Sequence, residues 1–249
     1  MNLLLDFLCR FGWGMAAGLV LTPAALVPGG FFRVNLLVVL GLATTASLVS
    51  QSLADAGGIW IPTAAAAVVA WIGSVAWLAG RTRAGQWSCG IAGVLLAGAT
   101  VVTAAMTAGV AGDTAGAAWL AGGEALVSGL VAGLTVHAML LGHWYLNAPG
   151  MRVDALRRMI DLALAAWALQ MVVSVAGLVN RAGFPTDLTG TALLSLRWIA
   201  GLAGLPLLLV MARKTLEIPN TQSATGILYV ACLAAILGEL TSQLLQAAS

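Results

Sequence analysis

Charge is what this sequence has least of. Only 8% of its 249 residues are Asp, Glu, Lys or Arg, whereas 61% are hydrophobic. A soluble domain carries roughly a quarter charged residues and needs them to cover its surface. This chain cannot cover itself in that way, so its surface must face lipid. The few basic residues form no dense cluster, which excludes nucleic acid as a partner. Cysteine is also scarce. Cys9, Cys89 and Cys232 all fall in apolar runs without metal-ligand spacing and read as small buried hydrophobes. Histidine is limited to His137 and His143. There is no nucleotide-binding loop, no HExxH and no usable nucleophile-elbow motif, so nothing supports an enzyme acting alone.

What the sequence does have is long apolar runs. Lipid offers no hydrogen bonds, so a spanning backbone must be helical or a closed barrel. Barrel strands alternate apolar and polar residues. Here apolar residues run on for about 20 positions, the length a helix needs to cross a ~30 Å hydrocarbon core. Breaks at Gly, Pro and charge delimit eight segments near 3–27, 33–54, 59–80, 88–109, 117–146, 157–180, 191–212 and 224–246. The N-terminal stretch has no basic residue ahead of its apolar run and no clear cleavage site, so it reads as a retained first helix. The expected fold class is therefore all-α, a polytopic integral membrane bundle of about eight transmembrane helices in a single membrane domain, 1–249.

The charges between segments give that bundle an orientation. Alternate loops carry Arg33; Arg81 and Arg83; Arg152, Arg157 and Arg158; then Arg213 and Lys214. The remaining loops and the C-terminus carry only Arg181. The positive-inside rule then places both termini outside, as expected of a multi-pass protein of a bacterial-type inner membrane. Trp60 and Trp119 begin helices at one face, and Trp77, Trp87 and Trp144 lie near the other, as in an interfacial aromatic belt.

Two halves, 1–112 and 117–249, share short patterns. Pro28-Gly29-Gly30 leads to Arg33-Val34-Asn35, and Pro149-Gly150 leads to Arg152-Val153-Asp154. Trp71-Ile72-Gly73 and Trp198-Ile199-Ala200-Gly201 each precede a basic turn. A 4+4 repeat has an even number of helices per half, so its halves would be related by an axis along the membrane normal. Gly129 and Gly133 form a small-xxx-small pair suited to close helix contact. Pro23 and Pro206 fall inside the first and seventh segments and are expected to kink them.

Ionisable residues inside a membrane are costly, by at least ~2.5–3.5 kcal/mol, and by default face the protein interior. Asp6, Arg10, Glu124, Arg197 and Glu239 all lie within segments, at one level in the outer third, joined there by Gln51. Asp6 and Arg10 are four apart with the acid first, the favourable order for a helical ion pair. Arg197 is expected to pair with Glu239, on the neighbouring helix, or with Glu124. The layer has one acid more than it has bases, and a buried carboxylate without a partner takes up a proton. The plainer reading is that such pairs only lock helix packing.

A second group, His137, His143 and Tyr145, runs towards the inner surface, with Asp161 across the hairpin. Two histidines six apart on one helix point in different directions, which excludes bis-histidine haem within the chain; a single axial ligand or a haem shared with another subunit is disfavoured. Zinc needs three or four convergent ligands and is disfavoured too. No cofactor is predicted, although a quinone headgroup near His143, Tyr145 and Asp161 is chemically reasonable. The plainer reading there is an interfacial anchor. Two functions follow as expectations. The first is a transporter-like or channel-like protein for a small solute or ion, with proton coupling as an option. The second is a non-catalytic subunit of an electron-transfer or other membrane complex. Its partners would be the bilayer, other membrane subunits or further copies of itself.

Overall fold

The computed structural model describes residues 3–53, 57–110, 115–148, 150–180, 187–218 and 220–248. Most of these residues are helical, and eight helices are long and apolar enough to cross a membrane. They are α1 (Leu3–Leu21), α2 (Gly29–Gln51), α3 (Trp60–Leu78), α4 (Thr82–Val110), α5 (Ala115–Asn147), α6 (Asp154–Asn180), α7 (Leu188–Thr215) and α8 (Thr221–Ala248). Arg181 and Pro149, used above for topology and repeat, lie outside the described residues.

Helices α1 to α4 pack as a ring in which each touches the next and α4 returns to α1; α5 to α8 form a second such ring. The rings meet along α1 and α5, with α4 also against α5, while α1 and α8 touch only sparsely. The central position of α1 and α5 is plain from their burial, 67% and 72% of their apolar windows against 22% for α6.

Glycine makes the α1–α5 contact possible. A Cβ on Gly14 would overlap the Gly129 carbonyl and come within 2.9 Å of the Gly133 Cα. One on Gly129 would lie 3.0 Å from the Arg10 Cα, and one on Gly18 would reach 2.6 Å from the His137 ring. With no hydrophobic effect between helices in lipid, this close van der Waals packing holds the two rings together.

Helix ends follow local chemistry rather than hydropathy. Pro23 does not kink α1 but stops it at Leu21. Proline leaves the carbonyl four residues earlier without its amide partner, and the Gln86 side-chain amide donates to the Val20 carbonyl at 3.1 Å and the Leu19 carbonyl at 3.5 Å. Pro28, in extended conformation, caps α2, which therefore starts at Gly29 rather than at residue 33. Gly80, at φ +71, turns the chain so tightly that α4 begins at Thr82 instead of residue 88.

Helix α7 is where the structure departs most from a regular span. Arg197–Gly204 forms π-helical turns between the α-helical segments Leu188–Leu196 and Leu205–Thr215. Pro206 supplies the cause: it has no amide for the Leu202 carbonyl and its ring crowds that group. The Trp167 indole N–H on α6 donates to the same carbonyl at 3.0 Å. Gly201, in the widened turns, lets α8 approach; a Cβ there would sit 2.9 Å from the Gly238 Cα.

Tryptophan positions only partly follow an interfacial belt. Trp87 and Trp119 are exposed, but Trp77 is 6% exposed and stacks on Phe32 with ring centroids 4.3 Å apart. Phe32, on the buried face of α2, thus draws Trp77 of α3 into the core. Trp144 packs edge-on against Phe31.

Candidate functional site

The intramembrane charges meet near the end of the bundle that carries the chain termini. Arg10 on α1, Glu124 on α5, Arg197 on α7 and Glu239 on α8 each lie seven to nine residues from the terminus-side end of their helix, about 10–14 Å at 1.5 Å per residue. Asp6 is one turn shallower, whereas Gln51 is exposed at the end of α2 and takes no part in the charged contacts.

Two ion-pair groups result. In the first, the Arg10 guanidinium, 2% exposed, holds Asp6 at 2.6 Å and Glu239 at 3.1 Å. It also donates to Gln246 at 3.2 Å and faces Ser128 at 3.5 Å. Behind it, Thr103 donates to Asp6 at 2.9 Å, and Gln243 donates to Glu239 Oε1 at 2.8 Å. In the second group Arg197 holds Glu124 at 3.0 Å and donates to Ser174 at 3.1 Å.

The pairing thus differs from the simpler expectation. Arg197 takes Glu124 rather than Glu239, because α5 rises between α6 and α8 and presents Glu124 to the π-helical turn that carries Arg197. Arg10 takes Glu239 instead, across the junction of the two rings. Sequence reasoning could place these groups at one depth from helical rise, but not choose partners without knowing that α1 faces α8.

Between the two groups is a small pocket with room for a water-sized species. Its polar lining is Ser128, Gln170, Arg197 and Glu239; Gly201 and Gly238 form part of its wall. Gln170, Ser128 and Ser174 were not singled out by sequence, since a lone polar side chain in an apolar helix carries no spacing signal. The Glu239 Oε2 atom is buried without a hydrogen-bond partner, as is Gln243 Oε1. An orphaned buried acceptor carries the full desolvation penalty of about 1–3 kcal/mol, more if charged. Across both groups three carboxylates face two guanidiniums, leaving one surplus negative charge.

The second predicted group is not brought together. His137 is fully buried, 2.7 Å from the Thr22 hydroxyl and edge-on to Phe31. His143 is exposed and lies 3.2 Å from the Tyr229 hydroxyl. Tyr145 donates to the Arg152 carbonyl, closing the turn into α6. Asp161 pairs with Arg213 at 2.8 Å near the surface. Among the described residues, no three or more His, Cys, Asp and Glu side chains are grouped so as to hold a metal ion. The three cysteines are buried and free.

No protein-family model, curated protein or solved structure matches the chain.

Proposed function

We propose that this membrane protein is transporter-like or channel-like and moves a small ion or solute through the second ring, α5 to α8, in an inner-type membrane with both termini outside. The observation that carries the reading is the pocket at the charged level, lined by Arg197 and Glu239, the latter with one carboxylate oxygen buried and unpartnered. A cluster built only to lock helices together would satisfy its own acceptors, since a half-satisfied buried network is worse than an apolar core. The size of the pocket favours an ion or a solute no larger than water in this conformation. Broken helices that line a cavity are a recurring device of transporters, and the π-helical turns at Arg197–Gly204 supply one.

A two-ring repeat gives such a site a means of opening. Gly14 and Gly133, Gly18 and His137, and Arg10 and Gly129 are pairs in contact, and each is separated by the same 119 residues as the repeated Arg33 and Arg152. Under a two-fold axis between α1 and α5 each residue would meet its own counterpart, so this register supports the 4+4 repeat. Rocking about that axis would open the sparse α1–α8 side.

A second reading, a non-catalytic subunit of an electron-transfer complex, rests on the exposed His143–Tyr229 pair, whose donors could meet a quinone carbonyl. The test is thermal unfolding of the purified protein against a panel of alkali cations, halides and small ammonium and carboxylate solutes. The transporter reading expects at least one to raise the midpoint in the wild type and not in Glu239→Gln. Stoichiometric co-purification of haem or iron–sulfur proteins, with no such response, would favour the subunit.

A further inference from the structure

Arg10–Glu239 differs from every other ion pair among the described residues in that it joins the two rings. Asp6–Arg10 lies within α1, and the Glu124–Arg197, Arg152–Asp154 and Asp161–Arg213 pairs all lie within α5 to α8. It also spans a seam where the rings touch only sparsely, between α1 and α8. We propose that Glu239 is the binding site of an exchangeable proton, and that its protonation at Oε2 releases Arg10 and unlatches the α1–α8 seam. The proposal rests on the transport reading above and names its coupling ion.

Three observations carry it. Glu239 lines the pocket, which has room for a water to stand beside it as a proton relay. Its Oε2 is buried and unpartnered, while Oε1 already accepts from Arg10 and Gln243. The surplus charge of the network is a single negative one, which one proton cancels. Glu239 is faced from α1 by Arg10, with Asp6 behind it, and from α5 by Ser128, with Glu124 one turn beyond. From α7 it meets Arg197 across the pocket, and on its own helix Gln243.

The step is simple in its balance. The carboxylate of Glu239 gains one proton from bulk solvent, relayed through a water in the pocket that is itself left unchanged, and becomes a neutral carboxyl with a hydrogen to donate. Arg10 does not change its protonation. It keeps Asp6, at 2.6 Å its nearer partner, and loses its ionic tie to α8, where the neutral Gln246 remains as an acceptor at 3.2 Å. The asymmetry matters, because Arg10 is not left stranded as a buried cation once the latch opens. Asp6, held by Thr103 on α4, keeps it within the first ring.

Infrared difference spectroscopy on the full chain in lipid nanodiscs tests the protonation. A carboxyl C=O band should grow as pH falls, be absent in Glu239→Gln, shift in frequency in Glu239→Asp and persist in Glu124→Gln. If the wild type gives no titrating carboxyl band, or if Glu239→Gln leaves it unchanged, the proton site is refuted. Spin labels at Leu4 and Leu244 test the latch. Their distance distribution should broaden at low pH, and at every pH in Glu239→Gln; a distribution indifferent to both refutes the release. Should Glu239→Gln fail to fold, the frequency shift in Glu239→Asp still decides the assignment. Neither refutation touches the transport reading, which the solute response tests separately.

Discussion

At the residue scale, the same chemical pair means different things at different depths. Arg213–Asp161 and Arg10–Glu239 have similar separations, but the first has side chains 32% and 53% exposed and the second 2% and 2%. Water and salt screen the former to a contribution of about 0–1 kcal/mol. Removing Arg10 from the latter strands the Asp6 and Glu239 carboxylates in low dielectric, at a cost of about 3–5 kcal/mol. Arg10→Ala should therefore lower the thermal midpoint in mild detergent severely, whereas Arg213→Ala should leave it nearly unchanged. Equal effects would mean that the charged layer is fully hydrated. Trp167→Phe should cost about 1–3 kcal/mol by orphaning the Leu202 carbonyl, and chemical denaturation of the two proteins side by side would measure it. The depth of Asp6, Arg10, Glu124, Arg197 and Glu239 was legible in the sequence because helical rise is regular. Their partners were not, because pairing depends on which helices are neighbours.

At the element scale, hydropathy located all eight spans, since lipid leaves an apolar run of that length no other conformation. It did not locate their ends. Pro23 halts α1, Pro28 and Gly80 advance the starts of α2 and α4, and Pro206 opens α7 into π-helical turns. Proline in both α1 and α7 was visible, but whether it stops, kinks or widens a helix depends on what meets the orphaned carbonyl. Gln86 does so at the Leu19 carbonyl of α1 and Trp167 within α7. Glycines sort in the same way. Gly14 faces backbone on α5, while a Cβ on Gly98 would meet nothing within 4 Å. Gly14→Ala should destabilise by about 1–3 kcal/mol through overpacking. Gly98→Ala should be neutral or stabilising by up to about 1 kcal/mol, the helix-propensity difference. Thermal unfolding of both variants checks the contrast, and comparable losses would argue against the close α1–α5 crossing.

At the scale of the whole molecule, two four-helix rings share a tight glycine-lined axis and a looser seam that one ion pair bridges. The membrane class was legible from composition. The place of the site was not, because the pocket lies within the second ring and takes Gln170 and Ser128, two neutral polar side chains that no spacing in α6 or α5 marks out. Transport requires this pocket to be reached by solvent and to change sides. A cysteine at Gln170, with Cys9, Cys89 and Cys232 replaced by Ala, reads out both in vesicles sealed in either orientation. A membrane-impermeant maleimide should label the pocket cysteine from each side, with the balance shifted in Glu239→Gln. Protection from both sides, in wild type and variant alike, would contradict the account and leave the charged layer a device for packing.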